Sequence, residues 1–378
     1  MTHAITQSIS DVFSRPADNN YDSMSELIEV AGKEMDESRT IKTTSRSMTF
    51  STDDERYFVN LEGHTPLPLT NFSMTQVAGM AKIYVNTLER LHERERSDLV
   101  VENLDALFWN DDADDKFILV RDHFNGDSID SVARAVNGGA YSRLWDHEVF
   151  TEMEEFLIPR GFTPILPALR SNAMRSGLMH GLNTGLFRGD QCSFGFFFLD
   201  KDLPVDTSDL GGLKPGMMVW NSEVGARSFG YHTFYYHEMS GNIMVWTPAN
   251  HRRKRFVHRG DISKAFKEYV TTLEDVADNC EPRLIKDWDV FKFASTTPYA
   301  VDHTAAVARL QRELKMSAAN ANAAVLASQL EQNSYGDPLS VWNIALGIAW
   351  EAGQCSRAES LVDGTLVATK MMRSALKV

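Results

Sequence analysis

The 378-residue chain is 43% apolar, enough to bury a substantial core in one large domain or a few ordinary ones. Its 52 acidic against 38 basic side chains leave a formal net charge of −14, which opposes general attraction to a polyanion, so any nucleic-acid site has to be a local patch. With no apolar run of about 18 residues, no secretory pattern in "MTHAITQSISDVFSRPADNNYDSM", and Cys192, Cys280 and Cys355 far apart and without CxxC spacing, the sequence argues against a membrane span, a disulfide framework and a thiolate zinc site. A cytoplasmic protein is expected.

Residues 1 to 60 are polar and rich in Asp, Glu, Ser and Thr, and read as an acidic, partly ordered arm. From Ser73, a plausible N-cap, Met74, Val77, Ala78, Ala81, Tyr84, Val85 and Leu88 recur at helical spacing and predict a helix running to "ERLHERERS". "LVVENLDALFWNDD" continues helically, and "KFILVRDH" is a short apolar run bounded by turn residues, hence a strand. A segment broken at Gly138-Gly139 follows, then a helix from about Asp146 to Ile158.

Between 160 and 250 the aromatic and β-branched runs "FTPILPALRS", "CSFGFFFLD", "GMMVWNSE", "FGYHTFYYHEM" and "NIMVWTP" alternate with Gly, Pro, Asn and Asp, the pattern of a sheet. Asp261 caps a predicted helix with an Ile262, Ala265, Phe266, Tyr269, Val270, Leu273 stripe. "HTAAVARLQRELKMSAANANAAVLASQLEQ" and "DPLSVWNIALGIAWEAG", the latter with Asp337 as cap and Pro338 at the first helical position, are also helical. The predicted fold is α+β, with a central, mostly antiparallel sheet over about 115–260 flanked by N-terminal and C-terminal helices. In domain terms this gives the arm (1–60), an α+β core (61–300) and a C-terminal helical region packed on it (301–378).

The stretch "SEVGARSFGYHTFYYHEMSGN" concentrates the candidate chemistry. In an extended chain Arg227, Phe229, Tyr231, Thr233 and Tyr235 share one face, while Ser228, His232, Phe234 and Tyr236 share the other. "RSFGYHTF" approaches the RNA-recognition pattern of two rings separated by one residue, departing from it at Ser228 and His232. Phe229 and Tyr231 would then stack bases. The competing reading is a strand buried on both sides, whose rings are core.

In "HRRKRFVHRG", Arg252, Arg253, Lys254, Arg255 and Arg259 either hold phosphates or form a solvated turn that balances acidic neighbours. Arg227, Arg134 and Arg143 would add charge to a nucleic-acid surface. His232, His237, His251 and His258 with Glu238 lack the spacing of a zinc-protease helix, and "NDDADD" lacks that of a calcium loop, so neither metal nor cofactor is expected. Glycines 177, 181, 185 and 189 suit close helix packing or a phosphate-binding loop, but no Walker A, GxSxG or strand-linked GxGxxG motif occurs. No acid, base or nucleophile can be assigned.

"ILVRDHFNGDSIDSVARAVNGGAYSRLWDHEVFTEM", "NSEVGARSFGYHTFYYHEMSGNIMVW", the basic run and "LSVWNIALGIAWEAGQ" with Asn343, taken as an ordered set, resemble the domain-of-unknown-function family 932, the phage/plasmid-like proteins, over about residues 70–370. One departure is that the hairpin has Ser240-Gly241-Asn242 where the family usually carries a cysteine-containing turn. The resemblance implies a phage or mobile-element setting near replication and recombination functions, and brings no catalytic residues. The expected function is non-catalytic binding of single-stranded nucleic acid in replication, recombination or transcription, by an oligomer in the host cytoplasm. Alternatives are an assembly or host-interaction protein working without nucleic acid, and an enzyme whose site joins distant residues.

Overall fold

The computed structural model describes residues 12–53, 55–109, 114–125, 128–166, 185–244, 253–330, 333–354 and 357–377. It is mixed α and β, with antiparallel sheets between helices. In chain order, β1 (Asn19–Asn20) precedes α1 (Met24–Asp36), whose N-cap Ser23 accepts from the Glu26 amide. Then come β2 (Ser38–Thr44), β3 (Thr49–Thr52), β4 (Tyr57–Asn60) and β5 (Leu67–Pro68). The first half closes with α2 (Asn71–Met80), α3 (Val85–His92), α4 (Ser97–Trp109), β6 (Asp115–Asn125), β7 (Ser128–Gly138) and α5 (Asp146–Leu157).

The remaining strands are β8 (Phe162–Pro164), β9 (Leu186–Arg188), β10 (Ser193–Leu199), β11 (Leu213–Asn221), β12 (Phe229–His237), β13 (Asn242–Met244) and β14 (Arg253–Phe256). Among the described residues six α-helices follow: α6 (Ile262–Asp278), α7 (Cys280–Thr296), α8 (His303–Leu314), α9 (Ala318–Ala327), α10 (Val341–Ala352) and α11 (Ala358–Leu376).

The main sheet runs β1-β9-β10-β11-β12-β13, with β8 paired to β10 and β14 to β12, all antiparallel. Side-chain alternation divides it between two layers. Phe197, Met217, Val219, Phe229 and Tyr231 pack with Met24 and Leu27 of α1, Val149, Phe150 and Met153 of α5, and Tyr269 and Leu273 of α6. Phe194, Phe196, Met218, Trp220, Phe234 and Tyr236 pack on the other side with Leu361 and Val362 of α11. Farther along β12, Tyr235 joins the core of α7 to α11 and its hydroxyl donates to Asp287 at 2.7 Å. A second sheet, β2-β6-β7, and a small one, β3-β4-β5, share an apolar core with α2 to α4.

Several expectations change. Residues 12–60 are integral, not an arm: α1 lies in the main core, Phe50, Tyr57 and Val59 fill the N-terminal core, and β2 pairs along β6. Most of their few apolar residues are buried or half-buried, which polar composition conceals. The Ser73 helix is two helices capped earlier, at Thr70, and interrupted after Met80, where Lys82 adopts φ +58°. "SIDSVARAVNG" is strand β7. Ser340, not Asp337, caps α10; the Asp337 side chain instead accepts from the Leu339 amide.

The N-terminal segment also clamps the start of α11. Arg15 pairs with Glu359, Asp18 accepts from the Ala358 amide at 3.0 Å, and Arg357 donates to the Arg15 carbonyl at 2.9 Å. Among the described residues no helix is long and apolar enough to cross a membrane.

Close approach of β14 to β12 depends on Gly230. A Cβ there would lie 2.3 Å from the Lys254 carbonyl oxygen and 3.0 Å from the Arg255 Cα, both backbone. Gly230→Ala is expected to destabilise the protein by about 3 kcal/mol, because main chain cannot yield as a flexible side chain does. Urea denaturation checks it; an unchanged midpoint would place β14 farther from β12 than described.

Candidate nucleic-acid interface

The site residues separate into three groups. Phe229 and Tyr231 are 0% and 3% exposed. Phe229 stacks on Phe256, with centroids 5.2 Å apart, and meets the edge of Tyr269 at 5.5 Å; Tyr231 also contacts Tyr269. Rings enclosed by α5 and α6 have no face left for a base, so base stacking by this pair is corrected to the alternative, a strand buried on both sides.

Arg134 and Arg143 serve the interior. Arg134 is buried, lies 2.5 Å from the Glu223 carboxylate and donates to the Asp190 carbonyl at 3.2 Å. Arg143 donates to the Glu223 carbonyl and lies over the rings of Tyr141 and Trp145 at 5.5 and 5.2 Å. Burial lowers its pKa, with Arg134 repulsion adding to the effect, while Tyr141 and Glu223 oppose it. Arg134 thus belongs to a buried ionic network, while half-buried Arg143 is held by the Glu223 main chain and two rings, so neither is free to serve as the expected phosphate contact.

Glu223 follows β11 and receives Arg121 of β6 at 3.3 Å, Arg134 of β7 at 2.5 Å and Arg188 of β9 at 2.8 Å. Glu34 of α1 pairs with Arg121 and Arg188, and Asp146 of α5 accepts from Arg188 at 2.9 Å, Ser193 at 2.6 Å and Asn221 at 2.8 Å. Burial pushes the Glu223 pKa upward, but Arg188, Arg134 and Arg121 outweigh it and hold it at about 2. Burial and repulsion from Arg134 lower the Arg121 pKa to about 9. Three guanidinium groups face three carboxylates in a water-poor interior, where each sign requires the other.

The third group lies at the sheet edge. β14 pairs with the first half of β12 in the register Phe229↔Phe256, Gly230↔Arg255, Tyr231↔Lys254 and His232↔Arg253. Alternation puts Lys254 on the side of Phe256, facing α6, where its Nζ lies 2.7 Å from Glu268 and 4.9 Å from the Phe256 ring centroid. Lys254 is therefore largely neutralised. Arg255 takes the opposite face, is exposed, and makes no ion pair among the described residues. Arg252 and His251 lie outside the described residues, as does the side chain of Arg253, and the same holds for Gly177 and Gly181.

After β14 the chain turns inward and out again. Val257 and Arg259 are exposed, and His258 is 8% exposed. The His258 carbonyl accepts from the Ser142 amide at 3.0 Å, and Arg259 bridges to Tyr141. Arg227 approaches from the turn before β12, with its Nε 3.0 Å from Glu359 and its guanidinium 5.8 Å from the Phe194 ring centroid. Between them is an open pocket of about 340 Å³ lined by Tyr141, Gly225, Arg227, Ser228, Val257, His258 and Arg259.

Thus the fold brings Arg227 and Arg259 from the predicted set to one pocket and adds Tyr141, while Arg255 lies on strand β14 outside its lining. No sequence signal marks Tyr141, because its neighbours at the pocket come from a segment distant in the chain. Among the described residues no group of three His, Cys, Asp or Glu side chains could hold a metal, and both ring nitrogens of His237 are engaged, by Ser240 and by the Leu210 carbonyl. In comparisons with family models, curated proteins and solved structures, nothing matches this chain.

Two expectations separate interior from edge. Glu223→Gln should cost about 3–5 kcal/mol, because it leaves buried guanidinium charge uncompensated; chemical denaturation measures it, and a loss near zero would mean that water reaches the cluster. Phe229→Ala should cost about 3–5 kcal/mol through the cavity it opens. A Phe229→Ala chain that keeps its stability yet loses ligand binding would restore the ring to the surface.

Proposed function

We propose that the protein binds single-stranded nucleic acid along the β14 edge of the main sheet, without chemistry of its own. The observation that carries this reading is the pair of exposed arginines, Arg255 and Arg259, uncompensated among the described residues of a chain with net charge −14. Surface cations in an acidic protein gain most from neighbouring carboxylates, as Lys254 does with Glu268. Two left open to solvent on one edge, next to half-buried Arg227 and the Tyr141 ring, suit a phosphate backbone with a base nearby.

The resemblance to phage/plasmid-like proteins adds the setting, replication, recombination or transcription of a mobile element in the host cytoplasm. A second reading, self-association or docking of a protein partner, is favoured by Ile285 and Phe293, 48% and 57% exposed on α7.

Fluorescence anisotropy with labelled single strands across a salt series tests the first reading. Binding should weaken steeply with salt, and Arg255→Ala with Arg259→Ala should flatten the log–log slope by about 0.7 for each phosphate no longer neutralised. No binding at low salt by the folded chain overturns it, and a concentration-dependent oligomer in the same buffer would then favour the second.

A further inference from the structure

We propose that β2 pairs antiparallel with β2 of a second copy of this chain, about a two-fold axis at Ile41, so that the two β2-β6-β7 sheets join into one continuous sheet. The surface is separate from the β14 edge, and the inference stands whether or not that edge binds nucleic acid.

β2 is the outermost strand of its sheet and pairs with β6 along its full length of 7 residues; no other strand pairs with it among the described residues. The ladder continues past both ends, where the Asp122 amide donates to the Glu37 carbonyl at 2.8 Å and the Ser45 amide donates to the Asp114 carbonyl at 3.3 Å. In an antiparallel ladder the residues bonded to one neighbour alternate with those that face the other side. Arg39, Ile41 and Thr43 therefore bond to β6. The amides and carbonyls of Ser38, Thr40, Lys42 and Thr44 point to the open edge, where they form a template for a further strand.

The usual defences of such an edge are weak here. β2 holds no proline or glycine, and its pairing with β6 has no bulge. Its cations are turned onto carboxylates of their own sheet: Arg39 donates to both oxygens of Asp122, at 2.9 and 3.3 Å, and the Lys42 Nζ lies 3.1 Å from Asp115. Arg39 and Lys42 sit on opposite faces, and both are exposed, as is Thr40. Neither flank of the strand is covered, and "RTIKTT" is rich in β-branched residues that favour an extended chain.

The pattern of outward groups fits a second copy. With the axis at Ile41, Ser38 lies opposite Thr44 and Thr40 opposite Lys42, so every outward amide and carbonyl of β2 gains a partner. The two Ile41 side chains meet in a close pair of the kind without direct hydrogen bonds. Arg39 then faces Thr43, and no like charges stand opposite each other. Moving the axis to Lys42 sets that lysine against itself. Moving it to Thr40 leaves Thr44 of each copy without a partner, and an axis between two residues sets outward main chain against inward. One arrangement thus satisfies hydrogen bonding and charge together, and it is self-complementary, as a two-fold interface has to be.

A single strand pair buries less than the roughly 1,600 Å² of a standard interface, so a dissociation constant of about 10 μM or weaker is expected. Sedimentation velocity of the full chain, from well below to well above that concentration, should show a monomer giving way to a dimer. Thr40→Lys places a lysine opposite Lys42 twice in each dimer and should weaken it about tenfold, whereas Thr40→Glu should tighten it by a similar factor. Thr40→Pro removes an amide that faces only the open edge and should abolish the dimer, since an edge strand tolerates proline. If the proline variant does not fold, the two charge variants, at an exposed position, carry the test.

A monomer at every concentration overturns the inference. A dimer indifferent to the charge at Thr40 overturns it too, and if Phe293→Ser then dissolves that dimer, self-association belongs to α7.

Discussion

The Glu223 carboxylate is the point on which the architecture depends. It receives Arg121 and Arg134 from the second sheet and Arg188 from the main one, so a single buried anion fixes the position of one sheet against the other. Glu34 and Asp146 complete the charge balance from α1 and α5. Hydrophobic packing alone tolerates sliding between layers, whereas guanidinium groups in low dielectric accept few arrangements. Such a cluster contributes less to net stability than to the choice of one geometry over its neighbours.

This arrangement leaves the main sheet little open surface apart from its edges. Both faces of β12 are covered, one by α5 and α6 and the other by α11, and the half carrying Tyr235 by α7 and α10. A sheet clad on two sides presents to solvent only its outer strand and the loops at its ends. β14 is one such strand, and its alternation divides Lys254, turned inward to Glu268, from Arg255, turned outward. Four local observations, the strand register, a glycine, an ion pair and a turn, place the basic residues.

Much of the fold is legible in the sequence. The sheet between two helical regions, the face assignment along β12, and Asp261 as the cap of α6 follow from alternation and cap chemistry, which are local. Less legible is what depends on distant partners. "RAV" and "SRLWDH" give no sign that Arg134 and Arg143 turn inward, because the reason is Glu223, which lies elsewhere in the chain. Equally, two rings at alternate positions look the same in sequence whether water or α6 lies above them. Polar composition hid residues 12–60, where a handful of apolar side chains suffices to anchor α1 and β2 to β4.

The N-terminal clamp on α11 affects how the molecule is made. Arg15 leaves the ribosome 344 residues before its partner Glu359, and Asp18 340 residues before Ala358. At about 5–20 residues per second the first segment waits many seconds for them. Likewise Glu34 has neither Arg121 nor Arg188 at hand while α1 is new. Long-range closure of this kind slows folding, because the ends must be brought together before any contact rewards them. An acidic, sparsely apolar segment has little apolar surface through which to associate during that interval, so the composition that disguises it as an arm also protects it until its partners are made.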